Sequence, residues 1–192
     1  TLRILLINHA PKKLSHLRTA LLEAGFTLIN ESSLISNLPA QVEATQPDVI
    51  LLDSHSPDYD LMEQISLVSR DQPRPTVIFT DEQNPDVMRQ AIQSGVSAYI
   101  VAGIQPQRLK SILDVAMLRF ASDQALRAQL NARDQQMAER KRVELAKGML
   151  MQMKNCNEEE AYTLMRRQAM SRQQKLIQVA EQIIAMSDLL GQ

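Results

Sequence analysis

The 192-residue chain has one cysteine, no tryptophan, three tyrosines and three phenylalanines. A lone Cys156 excludes an intramolecular disulfide and a zinc site built on cysteines, and it fits a reducing cytoplasm. So few aromatic rings exclude the stacked-ring sheet that commonly grips single-stranded RNA. No apolar run approaches the roughly eighteen residues of a membrane span. No signal-peptide pattern is present either, so the sequence reads as a cytoplasmic protein that crosses no membrane. None of the five glycines builds a phosphate loop. No nucleophile–base set or metal-ligand spacing occurs, so an enzyme, a cofactor site and a metal site are not expected. Net charge is −1, which says nothing about nucleic acid. Its distribution leans: residues 1–122 carry −3 and residues 123–192 carry +2.

What is present first is an alternation of strand and helix signals over about 105 residues. Arg3–Ile7 is a short buried strand, followed by a helical stripe through Leu14, Leu17, Leu21 and Leu22 that Gly25 closes. Phe26–Ile29 reads as a strand and Leu34–Ala44 as a weaker helix. Asp48–Asp53 is apolar throughout its middle, as a strand covered on both faces must be. Leu61–Val68 is helical, Thr76–Thr80 extended, Asp86–Gln93 helical up to Gly95, and Ala98–Val101 extended. Five strands alternating with helices predict an α/β fold with a parallel, doubly wound sheet.

The last fifty residues are different. Three apolar repeats at i, i+3, i+4, i+7 predict three packed helices. They run through Val143, Ala146, Leu150 and Met153; through Ala161, Leu164, Met165 and Ala169; and through Leu176, Val179, Ala180, Ile183 and Ile184. Asn155–Asn157 breaks the first repeat, Asn157 is a ready N-cap for the second, and Ser171 stands where a cap for the third could be. The anionic run Glu158–Glu160 then suits the first turn of the second helix.

The runs Ala146-Lys147-Gly148-Met149-Leu150-Met151 and Glu160-Ala161-Tyr162-Thr163-Leu164-Met165-Arg166-Arg167, with Ala169-Met170, Lys175-Leu176 and Val179-Ala180, resemble the ANTAR domain. That family is the RNA-binding module of bacterial antiterminators of the amidase-operon and nitrate-assimilation type. The resemblance implies binding to leader mRNA stem-loops by a dimer, so that a terminator cannot form. A helical trio without an aromatic sheet must recognise RNA by shape, phosphate contacts and a few loop bases. Its cations are Arg140, Lys141, Arg142 and Lys147 on the first helix, Arg166 and Arg167 on the second, and Arg172 and Lys175 before the third. Lys147 and Arg166 match family motif positions and rank first. The last four are expected to cluster at the turn between helices, where free backbone amides favour phosphate. Tyr162 is placed to stack on an unpaired base, or equally to join the core. Gly148 inside a helix suggests a close helix crossing.

The N-terminal pattern resembles the flavodoxin-like receiver domain of two-component response regulators. Asp53 closes the third strand where such domains carry their phosphoacceptor, and Thr80 closes the fourth. The resemblance implies an acidic pair after the first strand to hold Mg²⁺ and a Lys after the fifth. Here those positions are Asn8 and His9, and Ala102 followed by Gly103. Mg²⁺ wants carboxylate oxygens, and phosphoryl transfer rests on neutralising the moving charge. The expectation is therefore a pseudo-receiver, with Asp53 and Thr80 not used for phosphorylation. Control by a nitrate- or nitrite-sensing partner protein, as the nitrate-assimilation branch implies, would replace it. The competing reading is a phosphorylation-dependent regulator with an atypical pocket. His9, His16 and His55 read as unrelated polar residues.

Between Gln107 and Lys147 there is no Pro or Gly, so one long helix is expected. Its seam at Asp123, Leu126, Leu130, Arg133 and Met137 is a weak heptad with charges in it. A second copy of the chain would cover it, making a homodimer; the alternative is fold-back onto the helical trio. The resulting organisation is a receiver-like domain over 1–120, a coiled-coil helix over 121–139 and an ANTAR-like domain over 140–192.

Overall fold

The structure is a computed structural model that describes residues 2–9, 16–32, 37–101 and 105–190, without the side chains of 16 and 188–190. Two compact units result, Thr1–Gln124 and Ala125–Gln192.

The first unit is a five-stranded parallel sheet in the order β2-β1-β3-β4-β5. Its strands are β1 (Arg3–Asn8), β2 (Thr27–Ser32), β3 (Val49–Asp53), β4 (Thr76–Thr80) and β5 (Ala98–Val101). Between them lie α1 (His16–Glu23), α2 (Leu38–Thr45), α3 (Tyr59–Asp71) and α4 (Pro85–Gln93). This is the flavodoxin-like receiver fold. Period-2 alternation splits the central strands between two cores. Leu5, Ile7, Ile50, Leu52 and Ile78 pack with α2, α3 and α4, while Ile4, Leu6, Val49, Leu51, Val77 and Phe79 pack with α1 and Leu109, Leu113 and Ala116. Burying each such Leu or Ile contributes about 1.5–3 kcal/mol.

Parallel register sets the chemistry at the sheet's C-terminal edge. Asn8 lies beside Asp53 and Asp53 beside Phe79, so the ends of β1, β3 and β4 converge. Gly95 closes α4 with φ +105, and a Cβ there would stand 2.2 Å from Ser69 Oγ, so only glycine fits. Leu14, the start of the helix expected from Leu34, and Ala102 and Gly103 lie outside the described residues.

From Pro106 one α-helix of 49 residues, α5, runs to Lys154. The segment 121–139 lies within α5, the one long helix expected from the sequence. Asn155 turns the chain left-handed at φ 49, and the Cys156 amide bonds back to the Met151 carbonyl at 3.2 Å. That is the six-to-one bond of a Schellman ending. α6 (Glu158–Ser171) starts with a complete capping box: Asn157 accepts from the Glu160 amide, and Glu160 accepts from the Asn157 amide. α7 (Leu176–Leu190) follows. Ser171 is not a cap for α7. It is the last residue of α6, its hydroxyl donating to the Gln168 carbonyl, while the Gln178 side chain takes the Lys175 amide. Ala146, Met165, Ala169, Val179 and Ala180 form the buried core of the trio.

Candidate functional site

α6 presents two faces. Ala161, Met165 and Ala169 recur every four residues and are buried. A quarter to a half turn away, Tyr162, Thr163, Arg166, Arg167, Met170 and Ser171 line an open depression of about 600 Å³. Tyr162 is 43 % exposed and Met170 72 %. Among the described residues nothing pairs with the guanidinium of Arg166 or Arg167, or with the Lys175 ammonium.

The other cations named from the sequence are engaged within the chain. Lys147 is nearly buried, its ammonium 2.5 Å from Glu144 and 2.7 Å from Glu158. Hydrogen bonding to Glu144, then to Glu158, holds that ammonium above its usual pKa. The same pairing holds the Glu158 carboxyl below its own. Lys147 therefore ties α5 to the start of α6 and does not lie on the exposed arginine face. Arg142 stands 3.6 Å from Glu181. Arg172 meets the Gln168 side-chain oxygen at 2.8 and 3.2 Å in the amide orientation that satisfies both groups.

The structure thus gathers Tyr162, Arg166 and Arg167 around one depression, with Arg172 and Lys175 beyond its lining on the turn into α7. The amides expected to be free at that turn are occupied. Gln173 and Gln174 donate to the Met170 and Ala169 carbonyls, and Lys175 to Gln178. Gly148 also departs from expectation: among the described residues a Cβ there would meet nothing within 4 Å, so none of them crosses it closely. Met170, which the sequence offers only as part of the family motif, lies on the same stripe through its i+4 spacing from Arg166.

At the sheet edge of the first unit, Asp53 ends β3 partly buried. Thr80 is buried at the end of β4; its hydroxyl donates to the His55 carbonyl at 3.0 Å and accepts from the Glu82 amide at 3.1 Å. His9 lies 3.0 Å from Asp58, and His55 lies 3.0 Å from Asp81. Asp58 also caps α3, and the Leu61 amide, ahead of His9, holds its carboxyl below the usual range. The sequence reading missed both imidazole–carboxylate pairs, because each joins loops that only the sheet register brings together. These donors do not fit the Mg²⁺ that the fold family implies. An amide and an imidazole stand where a carboxylate pair is needed, and the imidazole is held by Asp58. Among the described residues no three His, Cys, Asp or Glu side chains form a group that could hold a metal ion.

The response regulator receiver domain profile matches residues 4–114. The chain belongs to that family. The ANTAR domain profile matches residues 124–184, so a receiver domain and an ANTAR domain share one polypeptide. The transcriptional regulatory protein PdtaR of Mycobacterium tuberculosis is 26% identical over 162 residues, covering 84% of this chain and 79% of that one. A two-component response regulator of Oryza sativa is 25% identical over 112 residues, 58% of this chain and 16% of its own. Among solved structures, the signal receiver domain of the response regulator NarL from Mycobacterium tuberculosis superposes with TM-score 0.51 at 22% identity, covering 60% of this chain and 96% of that one. The receiver domain of a modulated diguanylate cyclase from Desulfovibrio desulfuricans gives TM-score 0.55 at 15% identity, covering 64% and 98%. Both likenesses concern the fold of the receiver. Among the described residues no helix is long and apolar enough to cross a membrane.

Proposed function

We propose that this ANTAR-containing receiver protein is a cytoplasmic, RNA-binding antitermination regulator that acts on hairpins in leader mRNA. One observation carries the reading: on α6, two exposed arginines with no partner among the described residues share an open depression with a half-exposed tyrosine. Arginine forks suit phosphate oxygens, and a lone ring suits a splayed loop base. Arg166, Arg167 and Tyr162 are the contacts assigned to RNA, with Lys175 in support. Lys147 is assigned to the α5–α6 joint, and Arg142 and Arg172 to a secondary role.

The narrower part of the proposal concerns control. The receiver offers Asp53 and Thr80 without a Mg²⁺-binding donor set, so its output is set by a nitrate- or nitrite-sensing partner protein and the target is an assimilation operon. That operon class rests on the family resemblance of the C-terminal motifs. The chain acts as a homodimer, whose contact is the solvent-exposed seam of α5.

A gel shift against the leader of the adjacent operon, with and without the neighbouring gene's product, tests the proposal. Binding to a two-hairpin leader, relieved or restored by that product, supports it; no binding to any hairpin refutes it. The phosphorylation-dependent alternative predicts stoichiometric modification of Asp53 by acetyl phosphate and Mg²⁺, or its ligation by beryllofluoride. Either result would overturn the pseudo-receiver assignment while leaving the RNA-binding assignment standing.

A further inference from the structure

One hydroxyl on the arginine face of α6 has its direction fixed. Ser171 lines the same depression as Arg167, and its hydroxyl donates to the Gln168 carbonyl at 3.0 Å. A carbonyl oxygen can only accept, so the single hydroxyl proton of Ser171 is committed there. The exposed side chain turns lone pairs alone to solvent. Phosphate oxygens also offer only lone pairs, so Ser171 is a poor phosphate contact and a reader of donors. Thr163 gives the contrast. It lines the same depression, one turn before Arg167, and its hydroxyl has no partner among the described residues. Free to rotate, it can donate or accept and selects neither.

The place of Ser171 on the helix strengthens the same preference. It is the last residue of α6, where the negative end of the helix dipole attracts donors and disfavours anions. Arg167 stands one turn earlier on the same stripe, exposed and with no partner among the described residues. Cβ atoms at i and i+4 lie about 5–6 Å apart. A cation for a phosphate and a fixed acceptor for a donor therefore stand side by side. In RNA the 2′-hydroxyl is a donor, and its carbon adjoins the one that carries the 3′-phosphate; DNA has no such group. Base N–H groups donate too, but they lie across the sugar from that phosphate. We propose that Ser171 tells RNA from DNA, accepting from the 2′-hydroxyl of an unpaired loop nucleotide whose phosphate Arg167 holds. This rests on the RNA-binding reading above and adds how the same site recognises ribose.

Sugar substitution in the probe, crossed with side-chain substitution in the full chain, tests the assignment. The probe is the first hairpin of the adjacent operon's leader, made as RNA and as chimeras with a single 2′-deoxy or 2′-fluoro sugar at each loop position in turn. Filter binding should find a loop position where 2′-deoxy weakens wild-type binding by about two- to tenfold, the net worth of one hydrogen bond. The 2′-fluoro sugar there should weaken it equally, because fluorine cannot donate. Ser171→Ala should lose the same factor on the RNA probe, keep the wild-type salt slope, and bind the RNA and that chimera alike. That coupling is what a double-mutant cycle reads. Thr163→Val should leave the sugar penalty in place. A penalty that persists in Ser171→Ala, vanishes in Thr163→Val or is missing with 2′-fluoro would overturn the assignment. So would a wild-type chain indifferent to every loop sugar. A wild-type chain that binds no hairpin at all would instead overturn the RNA-binding reading itself.

Discussion

Replacing Arg166 and Arg167 together with alanine should flatten the salt dependence of hairpin binding without unfolding the protein. Both side chains are exposed, and among the described residues neither has an ion-pair or hydrogen-bond partner, so their removal breaks no polar contact there. Each phosphate neutralised by a cation contributes about −0.9 to the slope of log K against log salt on a duplex and about −0.7 on a single strand. Two lost contacts therefore flatten the slope by about 1.4–1.8. Between about 50 and 200 mM salt, these two arginines account for about a seven- to twelvefold share of the wild type's fall in affinity.

Lys147→Met is the matched control. Its ammonium is already neutralised by Glu144 and Glu158, so no counterion-releasing contact is lost with it. That variant should keep the wild-type slope and lose thermal stability in the helical unit. Filter binding at four salt concentrations, with circular dichroism to verify the helices, separates the two. A slope unchanged in Arg166→Ala/Arg167→Ala, or flattened in Lys147→Met, would refute the division between an exposed and a sealed set of cations.

Tyr162→Leu should weaken hairpin binding by about 1–3 kcal/mol, the worth of one stacked base, while leaving the salt slope unchanged; titrations at two salt concentrations check both parts. Gly148→Ala should stabilise the helical unit by about 1 kcal/mol, because helical glycine is disfavoured and a Cβ there meets nothing within 4 Å; thermal melts read it directly. Asn157→Ala removes half of the capping box on α6 and should cost about 1 kcal/mol in a urea melt. For Asp58 the folded carboxyl lies below its ordinary value of 3.8, so its contribution is fully present above that value and is lost as pH falls through the depressed one. Asp58→Ala should accordingly lower stability at neutral pH and flatten the acid limb below pH 3.8, as urea midpoints at both pH values would show.

The strands were legible where side chains alone define them. β4 falls on Thr76–Thr80, buried throughout and apolar in its middle as a strand covered on both faces must be, and the half-buried edge strand β5 falls on its apolar run Ala98–Val101. β2 was less legible, since it extends through Asn30, Glu31 and Ser32. Those polar residues sit on the sheet edge, held by the ladder to β1 rather than by burial. α3 begins at Tyr59 because Asp58 caps it. The periodic stripe from Leu61 onward conceals those first residues, which face solvent. Helix endings in the trio were readable from Asn155 and Asn157, whereas Gln173 at φ 53 gave no warning. Left-handed glutamine at a helix end is set by the Schellman bonds around it, not by its own preference.

Cations were the least legible feature, because charge is visible in sequence and its compensation is not. The Glu144–Lys147 pair could have been anticipated from its i, i+3 spacing. Glu158 could not, since it reaches Lys147 only after the chain has turned through Asn155 into a new helix. Of the eight cations first named for RNA, Arg142, Arg172 and Lys147 have partners within the chain; among the described residues Arg140, Lys141, Arg166, Arg167 and Lys175 have none. The three assigned to RNA contact, Arg166, Arg167 and Lys175, set a slope of about −2.7 per helical unit on duplex RNA. Two units gripping two successive hairpins would double it to about −5.4. A single-hairpin RNA should therefore show about half the slope of a two-hairpin leader, and an equal slope on both would mean that only one unit of the pair touches RNA at a time.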